Sequence, residues 1–200
     1  MTSLSYGKIL SAAVGDEKIQ YGILFGNEKI VFIKSGAGGN IRGYQDKYLK
    51  MAHRVHKNLG ATVICASNGD LDGKIQLKAD KALIEKVISS RGFEHYELYF
   101  VGTSDGGEHS LKLSGQFTQT SKFLGINSSC SNADDFVNRI QSLPCIKKIF
   151  VYGAEDIDSH DIVPRLKTLV CDNLELVVLD GVDHNFTDKV DDFINLIDFL

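Results

Sequence analysis

A serine flanked by glycines is the first feature of this chain that could do chemistry. Residues 102–106 read Gly-Thr-Ser-Asp-Gly, a G-x-S-x-G pattern, and an apolar run at 97–101 comes directly before them. This pattern is typical of a serine on a sharp strand-to-helix turn, where side chains at the flanking positions would collide with neighbouring backbone. We therefore predict that Ser104 is a nucleophile. The alternative is a strand-to-helix loop that carries an idle serine.

The base is predicted from the positions of the six histidines. A serine hydroxyl is a poor nucleophile at neutral pH unless a base within hydrogen-bond distance accepts its proton. His184 lies between the last predicted strand and the last predicted helix, so it can reach the strand end that carries Ser104. His160, in a loop near the candidate acids, is the main alternative. His109 lies one turn into the helix after Ser104 and is expected to neighbour the site without pointing into it.

A carboxylate is expected behind the imidazole. It would fix the tautomer of the base and stabilise the cation that forms during the reaction. Asp156 comes just after the predicted strand at 147–152 and is the predicted acid. Glu155, Asp158 and Asp161 lie close to it in the sequence and stay open as alternatives.

An acyl-transfer site also needs donors for the developing oxyanion, commonly two backbone N–H groups. The amide of Asp105, directly after the predicted nucleophile, is one candidate. The glycine-rich loop at 35–40 leaves a strand and enters a helix, and it can supply a second amide from Ala37 or Gly38.

A dinucleotide-binding loop is the alternative reading of the same glycine-rich segment. Its fingerprint needs a third glycine where this chain has Ile41, and an acid at the end of the next strand, where none occurs before Asp70. We therefore predict no organic cofactor and, in the absence of a third ligand near any histidine pair, no metal.

The elements that must position these residues alternate between strands and helices. Apolar runs predict strands at 20–24, 29–34, 61–66, 97–101, 123–127, 147–152 and 174–179, and three- to four-residue periodicity predicts helices at 44–59, 79–91, 106–113, 134–142, 162–170 and 190–200. Such alternation favours a parallel sheet with helices on both faces, because parallel neighbours need a crossover connection. Ligands of such sheets bind at the carboxyl ends of the strands, where all the candidate residues lie.

The sheet is expected to begin differently. The runs at 20–24 and 29–34 are separated by Phe-Gly-Asn-Glu, which predicts an antiparallel hairpin through a Gly-Asn turn. The predicted fold is thus α/β: a mostly parallel, twisted sheet with an antiparallel N-terminal hairpin and helices on both faces, in a single domain that spans 1–200.

Composition and charge exclude several classes of partner. The 200 residues carry a formal net charge of −4 and no run of Lys and Arg, so neither nucleic acid nor a membrane surface is an expected partner. Residues 1–15 lack the signal-peptide pattern, and no stretch approaches the roughly 20 apolar residues that span a bilayer, so we predict a cytoplasmic protein. The four cysteines contain no CxxC pair and are expected to be reduced thiols.

Three segments in chain order resemble those of the α/β-hydrolase superfamily: GTSDGG at 102–107, GAED at 153–156 and DGVDHNF at 180–186. The resemblance extends over 20–200, and it implies a triad in the order Ser104, Asp156, His184 without a cofactor. The chain departs from the family where Ser35 replaces the histidine that often begins the oxyanion loop. Only 128–146 is available where larger members carry a cap domain, so we expect none.

The resemblance implies an esterase, thioesterase, lipase, peptidase or acyltransferase. The expected function is hydrolysis of a carboxylic ester or thioester of a small acyl group through an acyl-enzyme. Acyl transfer with the same residues is one alternative, and a non-catalytic binding module on the same fold is another.

Overall fold

Eight strands form one sheet in the computed structural model, which describes residues 4–14, 17–69 and 73–200. Asp70 and parts of the segment 1–15, which entered the sequence predictions, lie outside these ranges. The strands are β1 Lys8–Val14, β2 Glu17–Leu24, β3 Asn27–Lys34, β4 Ala61–Ala66, β5 Glu97–Thr103, β6 Thr120–Ile126, β7 Lys147–Gly153 and β8 Leu174–Leu179. Their order in the sheet is β1-β2-β4-β3-β5-β6-β7-β8.

The helices follow the predicted periodicity, with one longer than expected. They are α1 Lys47–Leu59, α2 Gly73–Arg91, α3 Asp105–Ser114, α4 Ala133–Ser142, α5 Ile162–Thr168 and α6 Val190–Asn195. Helix α2 begins six residues before the predicted start at 79, and two of its buried side chains, Gln76 and Asp80, are polar. The helix was predicted from the periodicity of apolar residues, and this periodicity does not reveal a turn whose buried side chains are polar. None of the helices in the described ranges is both long and apolar enough to cross a membrane.

Pairing in the sheet is parallel from β4 through β3 and β5 to β8. All six residues of β4 are buried, as expected for a strand covered on both faces. One core, with Tyr48 and Phe193 in contact, lies under α1 and α6. The other lies under α2 to α5, where Phe136 and Phe150 meet. The predicted α/β architecture with helices on both faces is confirmed.

The antiparallel hairpin is present, but the predicted strands are the wrong pair. Strand β2 pairs antiparallel with β1 and β4, and β4 separates it from β3. The Gly26-Asn27 segment turns against the end of α1 instead, because Asn27 N donates to Gly60 O at 2.7 Å. A Cβ at Gly26 would lie 2.1 Å from the same carbonyl oxygen. Strand β1 was not predicted, since its largely exposed edge position needs no apolar run.

The connection between β6 and β7 carries no cap domain. It contains α4, whose Phe136 and Ile140 are buried against the sheet. Because this helix packs onto the core, Phe136 and Ile140 do not form a cover over the carboxyl end of β5. The expectation of a capless fold is confirmed.

Candidate active site

Ser104 stands at the carboxyl end of β5, on the turn into α3. Its backbone has φ 54° and ψ −128°, a conformation that costs a non-glycine residue roughly 1–3 kcal/mol. The surrounding glycines make this turn sterically feasible. A Cβ at Gly102 would lie 2.3 Å from Gly106 O, and one at Gly106 would lie 2.3 Å from Ser35 O. The G-x-S-x-G pattern is therefore required by the close packing of β5, α3 and the loop after β3.

The fold brings three of the predicted residues into one hydrogen-bonded chain. His184 Nε2 lies 2.9 Å from Ser104 Oγ, and His184 Nδ1 lies 2.9 Å from Asp156 Oδ1. The Asp156 residue is 1% exposed, and the His184 side chain is 27% exposed. This is a buried carboxylate behind an imidazole whose other nitrogen reaches a solvent-accessible hydroxyl.

Asn127, which the sequence analysis missed, holds the His184 loop in place. Its side-chain amide donates to the carbonyls of Asp183 and His184 at 3.0 and 2.9 Å, and its Oδ1 accepts from Gly153 N at 2.8 Å. Asn127 also has a positive φ of 43°, which asparagine tolerates better than most residues. One buried side chain thus connects the ends of β6 and β7 to the loop after β8. An asparagine as the last residue of the predicted strand at 123–127 was the only available signal.

The structure separates the candidate acids. Asp158 Oδ2 lies 3.7 Å from His184 Nδ1, and its side chain is 66% exposed. Within the described ranges His184 forms no ion pair with Glu155 or Asp161. Asp156 Oδ1 also accepts from Asp158 N at 3.1 Å, which fixes the carboxylate, while its Oδ2 is buried without a hydrogen-bond partner.

The other histidines lie away from Ser104 Oγ. His160 is exposed, and no hydrogen bond joins its side chain to Ser104 or His184 in the described part of the chain. His109 faces a second buried carboxylate, because its Nε2 lies 2.8 Å from Asp80 Oδ2. It neighbours the site without entering it, as expected.

The predicted oxyanion loop lies against Ser104, the predicted nucleophile. A Cβ at Gly36 would be 3.1 Å from Ser104 Cβ. The amide of Gly36 donates to Tyr48 Oη at 3.4 Å, whereas those of Ala37 and Gly38 have no acceptor among the described residues. The third predicted donor, the amide of Asp105, is in the first turn of α3, where N–H groups lack intrahelical acceptors.

A second hydroxyl, which the sequence analysis also missed, lies within hydrogen-bond distance of the Ser104 hydroxyl. Ser129 Oγ lies 3.1 Å from Ser104 Oγ and donates to Asp105 Oδ1 at 3.0 Å. Ser129 belongs to the loop after β6, so only the parallel pairing of β5 and β6 brings it here. A serine in a polar loop carries no sequence signal for this role.

A buried cluster of charged and polar side chains lies next to the start of the predicted oxyanion loop at 35–40. Lys34 Nζ lies 2.9 Å from Asp80 Oδ2, and both side chains are fully buried. Tyr21 Oη donates to Asp80 Oδ1 at 2.8 Å. Burial would raise the pKa of Asp80, but the hydrogen bond to His109 and the charge of Lys34 hold that pKa below its ordinary value. Because Lys34 directly precedes Ser35, this cluster anchors the start of the oxyanion loop.

Asp156, Asp158 and His184 are also a set whose ligand atoms lie within 4.8 Å of one another, the spacing of a metal site. Both imidazole nitrogens of His184 are already hydrogen-bonded, to Ser104 and to Asp156. Metal binding would therefore have to break the hydrogen-bonded chain, and the three residues fit the proton-transfer arrangement better than a metal centre.

Comparison with solved structures finds the same architecture at low sequence identity. A serine hydrolase without a lid from Xanthomonas campestris is 19% identical, with a TM-score of 0.72 over 97% of this chain and 93% of that one. A serine hydrolase homologue from Coxiella burnetii is 15% identical, with a TM-score of 0.72 over 98% of both chains. A dienelactone hydrolase from Anabaena variabilis is 14% identical, with a TM-score of 0.74 over 94% of this chain and 93% of that one. Comparison with protein-family models and with curated protein sequences finds no match.

Proposed function

We propose that this chain, which has the α/β-hydrolase fold, is a serine hydrolase that cleaves a carboxylic ester or thioester. The observation that carries the proposal is the continuous chain from Ser104 Oγ through His184 to the buried Asp156, with 2.9 Å at each step. Acyl transfer to water needs a nucleophile, a base, an orienting acid and donors for the oxyanion. The candidates for these roles follow the carboxyl ends of the parallel strands β3, β5, β7 and β8.

The reaction proceeds in two steps. His184 Nε2 accepts the hydroxyl proton as Ser104 Oγ attacks the carbonyl carbon, and Asp156 stabilises the imidazolium through Nδ1–H. The amide of Asp105 and that of Ala37 or Gly38 donate to the oxyanion. His184 then protonates the leaving alcohol or thiol, and the acyl group stays on Ser104. Water, deprotonated by His184, then attacks the acyl carbon, the bond from that carbon to Ser104 Oγ breaks, and His184 returns the proton to Ser104 Oγ as the acid leaves.

The capless fold supports a small acyl group. The α4 helix turns Phe136 and Ile140 into the core, so neither side chain walls the site. Each buried methylene contributes about 0.8 kcal/mol only where a wall removes it from water. A plain alkyl chain therefore gains little from lengthening.

A fluorophosphonate probe tests the proposal. We expect it to label the wild-type protein and to spare Ser104→Ala, while the exposed control Ser131→Ala is labelled like the wild type. His184→Ala should lose labelling together with nitrophenyl acetate turnover, whereas His160→Ala should keep both. Equal labelling of wild type and Ser104→Ala, or of neither, would refute the nucleophile and with it the function.

A further inference from the structure

A cleft of about 920 Å³ opens beside the nucleophile. Two of its lining residues, Ala37 and Asp105, supply candidate oxyanion amides, so the cleft begins where a substrate carbonyl would lie. Its walls also include Asn68, Gln76, Glu108 and His109. The cleft is thus polar along a face that no step of the proposed reaction uses.

The position of the cleft assigns it to one half of the substrate. His184 and Asp156 follow β8 and β7, on one side of β5 in the sheet. Neither His184 nor Asp156 lines the cleft, whose walls come from the loops after β3 and β4 and from α2, α3 and α4. A general acid must lie near the leaving oxygen, so the alcohol or thiol departs on the His184 side. The acyl chain then extends into the cleft.

His109 presents a defined hydrogen-bonding atom to this cleft. Its Nε2 lies 2.8 Å from Asp80 Oδ2, and that carboxylate also accepts from Lys34 and Tyr21. An ionised carboxylate only accepts hydrogen bonds, so Nε2 must carry the hydrogen. Burial lowers the pKa of His109, as does the charge of Lys34, against the hydrogen bond to Asp80 that raises it. The imidazole is therefore neutral at pH 7, and Nδ1 has a lone pair.

The Nδ1 atom is accessible and has no partner within the described residues. Those residues contain three buried side-chain atoms without a hydrogen bond, Thr103 Oγ1, Ser128 Oγ and Asp156 Oδ2, and Nδ1 of His109 is not one of them. Since it forms no hydrogen bond there and is not among these fully buried atoms, part of its surface is accessible, on a residue that lines the cleft. Nδ1 is thus a hydrogen-bond acceptor, because the bond from Nε2–H to Asp80 fixes the tautomer of the His109 ring.

We infer that the preferred substrate carries a hydroxyl or N–H group on its acyl chain, which donates to His109 Nδ1. This inference rests on the proposed function and narrows its substrate class. His109 is five residues beyond Ser104 along α3, a rise of about 7.5 Å. An extended chain covers that distance in roughly six bonds. A donor near the end of a six-carbon acyl chain fits, whereas a plain alkyl chain meets a polar wall.

Three nitrophenyl esters with the same six-carbon acyl backbone test the inference on the wild-type protein. They are the heptanoate, the 6-hydroxyhexanoate and the 6-methoxyhexanoate, which carry at position 6 a methyl group, a hydroxyl donor and an acceptor-only ether. We expect kcat/KM for the hydroxyl ester to exceed that of the other two by about tenfold, the effect of one net hydrogen bond. Equal rates for all three would overturn the inference. A methoxy ester as good as the hydroxyl ester would overturn the tautomer on which it depends.

Two variants distinguish recognition of the substrate hydroxyl by His109 from a general structural effect of its replacement. His109→Phe removes the acceptor, so the hydroxyl preference should fall to near one, while the exposed control His95→Phe should keep it. Retention of the preference in His109→Phe would overturn the assignment. Because the inference concerns a ratio between substrates, a general loss of activity does not imitate it. If Ser104 turns over all three esters without preference, only the inference fails. If the probe does not label Ser104 and no ester is cleaved, the proposed function fails with it.

Discussion

The hydroxyl oxygens of Ser104 and Ser129 lie 3.1 Å apart, although they follow different strands. Each hydroxyl has one hydrogen, and Ser129 donates its own to Asp105 Oδ1. Ser129 is then an acceptor toward Ser104, as is His184 Nε2 at 2.9 Å. The contact thus holds the Ser104 side chain beside His184, while the Ser129 oxygen also competes with His184 Nε2 for the Ser104 hydroxyl proton.

We predict that Ser129 raises kcat by holding the Ser104 side chain in place, and that this effect outweighs its competition with His184 for the Ser104 proton. Ser129→Ala should lower kcat about two- to fivefold, because one hydrogen bond contributes about 1 kcal/mol, with little change in KM. Ser129→Thr retains the hydroxyl and should stay near the wild-type rate. Steady-state kinetics on nitrophenyl acetate measure both. A faster alanine variant would mean that Ser129 mainly withholds the proton from His184.

The choice of acid gives a second prediction. Asp156→Asn should reduce kcat by about 10⁴-fold, because an amide no longer holds the imidazole in the productive tautomer. Asp158→Asn should change kcat less than about threefold, since its carboxylate is largely exposed and 3.7 Å from Nδ1. If the Asp158 variant proves the more damaged of the two, the assignment of the acid is wrong.

The buried cluster below the oxyanion loop predicts a large effect on stability. Lys34→Met leaves Asp80 buried with a charge that has lost its counter-ion, so the free energy of unfolding should fall by about 3–5 kcal/mol. The exposed pair of Lys81 and Glu85 supplies the matched control, and Lys81→Met should change it by under about 1 kcal/mol. Urea denaturation followed by circular dichroism compares the two variants. Equal effects would show that burial of Lys34 is not what makes its charge important.

The same cluster predicts how stability depends on pH. The pKa of His109 is lowered by burial, so below its reference value of about 6.5 the unfolded chain binds more protons than the folded one. The free energy of unfolding should therefore decrease from pH 7 to pH 5. Asp80, whose folded pKa is also lowered, adds stability that is present above about pH 4 and is lost as the pH falls through its folded pKa.

Denaturation curves at several pH values test this dependence. His109→Phe should flatten the change between pH 7 and pH 5, while His95→Phe should follow the wild type. Parallel curves for the wild type and His109→Phe would mean that the decrease comes from other groups.

Local signals were sufficient for much of the fold. The G-x-S-x-G spacing predicts the turn at Ser104 because the close approach of Gly102 and Gly106 to neighbouring backbone excludes side chains there. Apolar runs predict the buried strands, since a parallel strand such as β4 is covered on both faces. The prediction of a hairpin at Gly26-Asn27 was wrong, because the residues that favour a hairpin turn also allow the chain to turn against Gly60.

Contacts between distant segments could not be predicted from spacing. Four carboxylates within seven residues were equivalent in sequence, and only the packing of the loop after β7 buries Asp156 and leaves Asp158 exposed. Asn127 and Ser129 lie in polar loops, and their partners are residues of other strand ends.

The sequence by itself determined which chemical groups this protein has and the order of the strands and helices that carry them, because residue type and periodicity are local properties. The tertiary structure decided which of those groups meet. Ser104 and His184 are 80 residues apart, and the pair of Lys34 and Asp80 is 46 apart. Hydrogen-bond geometry and burial depend on where the sheet places each strand end, which no local pattern encodes.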